Sequence, residues 1–165
     1  MTLPLLKYTL MSNPLFDAIR NNDTASTVAL LEANPELVTE KDQRGSTPLL
    51  LATYYGFEGI SEAILKHDQN IDVQDSAGNT ALMGTCFKGF ESIAKLLIDH
   101  GADVNMKNSN GATALIFAAM FNQTTIIELL LENGADAAIK DHKGNSALDH
   151  ATMQGLKDVV TLLDT

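Results

Sequence analysis

The sequence predicts an all-α solenoid of stacked helix–turn–helix units joined by β-turn or hairpin-like loops. Glycines recur every 33 residues, at Gly45, Gly78, Gly111 and Gly144. Each is followed two residues later by Thr47, Thr80, Thr113 or Ser146, and four residues later by Leu49, Leu82, Leu115 or Leu148. The places where helical segments should stop hold only Gly, Asn or Asp. Self-similarity at one fixed period is the signature of a supersecondary unit repeated in a line. Units stacked in this way build surfaces rather than enclosed pockets.

Residues 42–74, 75–107, 108–140 and 141–165 align as four units, and a degenerate unit at 13–41 precedes them. Each unit reads as a polar turn, an apolar helical segment, a short break and a second apolar helical segment. Thr47-Pro48 shows how a first helix begins. The hydroxyl accepts a hydrogen bond from an orphan N–H, and proline suits the first helical position because its missing N–H costs nothing there. Thr80, Thr113 and Ser146 are placed to cap in the same way, with Ala81, Ala114 and Ala147 in the proline slot.

The stops test this reading independently. First helices end at Asn22, Gly56, Gly89, Asn122 and Gly155, and second helices at Asn34, Asp68, Gly101 and Gly134. All are residue types that tolerate a left-handed backbone at a helix C-terminus. Second helices carry buried stripes at three- and four-residue spacing: Ile60/Ala63/Ile64, Ile93/Leu96/Leu97, Ile126/Leu129/Leu130 and Val159/Leu162/Leu163. First helices carry small residues at Ala52, Thr85, Ala118 and Ala151, then Thr53, Cys86, Ala119 and Thr152, where neighbouring helices must approach closely. Cys86 therefore occupies a packing slot rather than the place of a reactive thiol.

Gly-Ser-Thr-Pro-Leu-Leu-Leu-Ala at 45–52 and His-Gly-Ala-Asp-Val-Asn at 100–105 resemble the ankyrin repeat, as do Gly-Asn-Thr-Ala-Leu at 78–82 and Asn-Gly-Ala-Asp at 133–136. The resemblance covers residues 13–165 as an ankyrin repeat solenoid. It departs from the family at the position after the Pro-Leu or Ala-Leu pair. There the family has a histidine that braces the turn, and this chain has Leu50, Met83, Ile116 and Asp149. Apolar packing is expected to take the place of that hydrogen bonding.

Composition narrows the function classes. At 165 residues and 45% apolar, the chain suffices for one buried core and is short for two ordinary domains. A net charge of −10 argues against non-specific binding to nucleic acid or to anionic membranes. The single cysteine cannot form an internal disulfide, so a reducing, cytoplasmic location is expected. No run is long and apolar enough to span a bilayer.

Residues 1–12 read as a tail. Lys7 and Pro4 interrupt its apolar run and no small-residue cleavage site follows, which makes it a poor secretory signal. Two readings compete: translation starting at Met11, or an ordered strap covering the first unit. Polar residues from Asp17 to Thr27 and Asp164 near the end mark terminal caps. They give the expectation of a complete protein of five units.

No phosphate-cradling glycine loop, His-Glu-x-x-His or Cys-x-x-Cys is present. His67 and His100 share a slot at the ends of second helices with Asn133, His142 lies in a turn, and His150 lies on a first helix beside Asp149. Adjacent helical residues point apart, so the last two do not make an acid–base pair. No enzyme activity, metal or cofactor is expected.

The resemblance implies binding on a concave face made by turn tips and first-helix ends. The residues just before the first-helix stops are Tyr54/Tyr55, Phe87/Lys88, Met120/Phe121 and Met153/Gln154, which hold four of the nine aromatic residues. Such side chains are enriched at interface cores. Arg44, Lys88, Lys107, Lys140 and Lys143 add a basic rim, while Glu58, Glu62, Glu91, Asp99, Glu128 and Glu132 lie on second helices. The expected function is non-enzymatic binding of a protein or peptide by a monomer, without nucleic acid or membrane. Rival readings are a homodimer using the same stripe, a sensor of a small molecule or metal, and rings tucked between units as packing.

Overall fold

A computed structural model describes residues 13–165, so the two readings of the tail fall outside the described residues. Among the described residues there are ten α-helices and no strand. They divide into two compact units, one ending at Gln69 and the other running from Asn70 to Thr165.

The first unit contains α1 (Pro14–Arg20), α2 (Thr24–Ala33), a 3₁₀ turn (Pro35–Thr39), α3 (Pro48–Tyr55) and α4 (Glu58–Leu65). It has two layers. α1 packs beside α3, α2 packs beside α4, and α1/α2 and α3/α4 form antiparallel hairpins across the layers. The second unit repeats the plan with α5 (Ala81–Lys88), α6 (Glu91–Asp99), α7 (Ala114–Met120), α8 (Thr124–Glu132), α9 (Ala147–Gln154) and α10 (Lys157–Leu163). Here α5, α7 and α9 form one layer and α6, α8 and α10 the other.

The first helices start as their sequences require. The hydroxyl oxygens of Thr47, Thr80, Thr113 and Ser146 accept the N–H groups of Leu50, Met83, Ile116 and Asp149 at 3.2–3.3 Å. Their side chains are buried, so each cap is also a core residue. The small-residue slot is closed to solvent at Ala52, Thr85, Ala118 and Ala151. Thr53, Cys86 and Ala119 beside it are buried too, but Thr152 is exposed. In the second-helix stripes, Ile64, Leu97, Leu130 and Val159 are fully buried, and Leu96, Leu129 and Leu162 are half-buried.

Seven of the nine helix stops are left-handed, including the non-glycine residues Asn22 (φ 53°) and Asn122 (φ 58°). Asn34 and Asp68 are not. Asn34 is extended, at φ −145°, and its side-chain oxygen accepts the Glu36 N–H to open the 3₁₀ turn. At Asp68 a neighbour supplies the missing bond. In α6 and α8 the carbonyls of Leu97 and Leu130 accept the main-chain N–H groups of Ala102 and Ala135 at 3.0 Å. In α4 the carbonyl of Ile64 accepts instead the side-chain amide of Gln69, at 2.8 Å. Gln69 occupies the slot of Ala102 and Ala135, and its side chain does what their backbones do.

Two further expectations are corrected. Thr27 is buried rather than part of a polar outer face, because its hydroxyl donates to the Asp23 carbonyl at 2.8 Å and leaves only a methyl to pack. Apolar packing replaces the turn histidine at Met83 and Ile116, both 1% exposed, but not at Asp149. The Asp149 carboxylate accepts the main-chain N–H and the hydroxyl of Ser146 at 2.8 and 2.9 Å, completing a capping box.

Adjacent turns of the second unit touch through main chain. Ser109 N–H donates to the Ala77 carbonyl at 3.1 Å, and His142 N–H donates to the Asn110 carbonyl at 2.9 Å. This approach leaves no room for a side chain at Gly78, where a Cβ would stand 2.7 Å from the Ser109 nitrogen. At Gly144, with a similar positive φ, nothing lies within 4 Å of that position. Gly144→Ala therefore carries only backbone strain, about 1 kcal/mol, and Gly78→Ala at least about 1 kcal/mol more in urea unfolding. The Cys86 thiol is fully buried and burial pushes its pKa up to about 12. An aromatic disulfide reagent at pH 8 should leave it unmodified in the native protein and titrate it once the chain is unfolded in urea.

Candidate interaction surface

The turns that carry the surface are each built around one side-chain oxygen. Oδ1 of Asp42 accepts the N–H groups of Arg44 and Ser46, and Oδ1 of Asp75 those of Ala77 and Asn79. Oδ1 of Asn108 accepts from Asn110 and Ala112, and Oδ1 of Asp141 from Lys143 and Asn145. All eight bonds measure 2.8–3.0 Å. The same residue's main chain closes the loop: Gly45, Gly78, Gly111 and Gly144 each donate to its carbonyl. These four residues went unassigned in the sequence, although Asp or Asn three positions before every periodic glycine is a visible signal.

A second brace joins the loops after the second helices. The Asp72 carboxylate accepts the Asp103 N–H at 3.0 Å, and Asn105 Oδ1 accepts the Asp136 N–H at 2.8 Å. Burial first, then the nearby Asp103 charge, push the Asp72 carboxyl up, and the N–H bond pulls against them.

Among the described residues the large apolar side chains left exposed are Tyr54, Tyr55, Phe87, Phe121 and Met153. In the first unit, Tyr54 and Tyr55 end α3, with relative exposures of 51% and 46%. Their rings meet edge to face at 5.6 Å, and Tyr55 stacks on Phe57 at 5.5 Å. Arg44 is exposed at the turn preceding α3.

In the second unit, Phe87 and Lys88 end α5, Met120 and Phe121 end α7, and Met153 and Gln154 end α9. The three helices are neighbours in one layer, so their C-terminal ends form a row. Phe87 and Phe121 meet edge to face at 4.6 Å, and the Lys88 ammonium lies 5.8 Å from the Phe87 ring centre. Met153 is 64% exposed, whereas Met120 is half-buried. Lys107, Lys140 and Lys143 are exposed beside the turns and are not in the ring cluster.

Two of the histidines, His100 and His150, have ring partners. The His100 ring bonds the Leu96 carbonyl at 2.8 Å, as the Asn133 amide bonds that of Leu129 at the equivalent place. His142 is exposed in its turn. His150 lies not against Asp149 but against Asp141, nine residues earlier, with Nε2 to Oδ2 at 2.7 Å and little exposure of either side chain. The Ser146 hydroxyl donates to Asp149 at 2.9 Å. Among the described residues no three His, Cys, Asp or Glu side chains are grouped to hold a metal ion, and no helix is long and apolar enough to cross a membrane.

Burial raises the Asp141 carboxyl, but the Asn145 N–H, the His150 ring and the Lys143 N–H outweigh it and hold the group below 3.8. The Ser146 N–H and hydroxyl hold Asp149 below the same value. In both cases the unfolded carboxyl takes up its proton first as the pH falls. The stability these groups contribute is thus present above pH 3.8 and lost as the pH drops through their folded values. Asp141→Asn keeps an oxygen for the turn, as Asn108 does, and removes the titration. Its melting temperature should fall less between about pH 5 and pH 3 than that of the parent chain.

A model of ankyrin repeats, in three copies, matches residues 15–108 and 87–164. A comparison with curated protein sequences finds no match. Ankyrin repeats are in general protein–protein interaction modules and are typically non-enzymatic. The repeated turns, capped first helices and two-layer packing are thus those of a known repeat, and the chain belongs to the ankyrin repeat family.

Proposed function

We propose that the chain is a non-enzymatic module that binds a partner protein or peptide through the turn tips and first-helix ends of its units. The observation that carries this reading is the position of the exposed large apolar side chains. Tyr54, Tyr55, Phe87, Phe121 and Met153 all stand at first-helix C-termini, while the stripes of the second helices are buried or half-buried. Aromatic rings held in edge-to-face contact present large area at low entropic cost, which is what an interface core needs. A cytoplasmic location suits a chain whose single thiol, Cys86, is buried.

The test is capture from native lysate by the full chain and by variants carrying Tyr55→Ser, Phe121→Ser or both. Loss of an interface anchor typically costs about 2 kcal/mol or more. Each substitution is thus expected to weaken retention by more than about 10-fold with the circular dichroism spectrum unchanged. A partner retained equally by the parent and the double variant would overturn the assignment of this face.

A further inference from the structure

Two exposed asparagines precede a glycine, Asn110 before Gly111 and Asn133 before Gly134. That pairing carries a chemistry of its own. A glycine nitrogen, with no side chain beside it, attacks the asparagine Cγ. The N–Cγ bond forms, the Cγ–Nδ2 bond breaks, and the displaced nitrogen takes up the proton and leaves as ammonia. Water then opens the five-membered imide at either carbonyl and leaves aspartate or isoaspartate. The attack requires the peptide between the two residues to swing its nitrogen towards Cγ, so the bonds that hold this peptide govern the rate.

The two peptides are held differently. In the turn before α7, the Gly111 N–H donates to the Asn108 carbonyl and the Asn110 carbonyl accepts the His142 N–H, both at 2.9 Å. That peptide is fixed at both ends, one of them by the neighbouring turn tip. The His142 ring also fills the space, since a Cβ on Gly111 would stand 2.7 Å from it. At the end of α8, the Gly134 N–H donates to the Leu131 carbonyl at 3.2 Å, and among the described residues no main-chain N–H donates to the Asn133 carbonyl. Nothing lies within 4 Å of a Cβ position on Gly134. The Asn133 amide donates to the Leu129 carbonyl at 2.8 Å, but this bond is exposed and water replaces it at little cost.

We infer that Asn133 deamidates spontaneously in the folded chain, whatever partner the chain binds, and that the bond between turn tips protects Asn110. The product changes the end of α8. A carboxylate at 133 has no N–H for the Leu129 carbonyl and sets a negative charge at a helix C-terminus, where the dipole disfavours it. Isoaspartate adds one carbon to the main chain before Gly134, whose carbonyl accepts the Asn105 amide at 3.1 Å, and before Asp136, whose N–H donates to Asn105 Oδ1. The reaction therefore loosens the brace joining the loops after α6 and α8. The preceding unit fills the same slot without this chemistry: His100, also followed by glycine, bonds the Leu96 carbonyl through its ring.

The experiment incubates the full chain in mildly alkaline buffer and follows each asparagine by peptide-mapping mass spectrometry. Electron-transfer fragmentation identifies isoaspartate, and a sample in guanidinium chloride gives the unfolded rates. Unfolded, the two sites should convert alike. Folded, Asn133 should convert about 5-fold faster than Asn110, or more. His142→Pro deletes the donor to the Asn110 carbonyl at a turn position that proline favours. It should speed Asn110 several-fold and leave the Asn133 rate unchanged. Asn133→Asp should melt about 3 °C below the parent chain, and Asn133→His should melt with the parent.

Asn133 converting no faster than asparagines that do not precede glycine would overturn the site. Asn110 converting as fast as Asn133 in the folded chain would overturn the protection. A His142→Pro chain in which both rates rise together would assign the protection to the unit as a whole rather than to the tip bond. Asn133→Asp melting with the parent would overturn the loosening of α8 and leave the site standing.

Discussion

One side-chain oxygen closes each turn, and the rest of the repeat depends on it. When Oδ1 of Asp42, Asp75, Asn108 or Asp141 accepts N–H groups two and four residues ahead, the loop has a single compact geometry. That geometry delivers Thr47, Thr80, Thr113 and Ser146 to the cap position in extended conformation, so the next helix starts at a defined place and angle. Within the second unit it also exposes one donor and one acceptor per turn tip to the neighbouring tip, giving the bonds from Ser109 to Ala77 and from His142 to Asn110. A turn held by side-chain packing alone would not fix main-chain groups to hydrogen-bonding tolerance.

The consequence reaches the far ends of the helices. α5, α7 and α9 have seven or eight residues each and start from equivalent caps, so their C-termini fall in register. The layer behind is sealed by Ile93, Leu97, Ile126, Leu130 and Val159, with small residues where α5, α7 and α9 touch. Side chains at the ends of these helices stand partly in solvent and meet each other, as Phe87 meets Phe121. Among the described residues the exposed rings stand where the first helices end.

Most of the fold was legible because a repeat gives several readings of the same slot. Four aligned units separate Thr or Ser as a cap from Thr or Ser as accident, and they place Cys86 among Thr53 and Ala119. The failures came where one unit does something the others do not. Among the described residues Asn34 belongs to a 3₁₀ turn that only its unit contains, and Asp68 is excused by Gln69. Alignment predicts what recurs, and each of these solutions occurs once.

Sequence by itself determined the helical repeat, its period, the caps and the slots that must be small or apolar. All of these are local or nearest-neighbour requirements: a hydroxyl reaches three residues, a buried stripe repeats every third or fourth, and a turn spans five. Tertiary structure alone decided which groups meet across longer distances. It paired His150 with Asp141 rather than Asp149, and joined Phe87 to Phe121 through the packing of α5 on α7. The reason is that a charge or ring acquires its neighbours only when helices are set side by side, which no single repeat does alone.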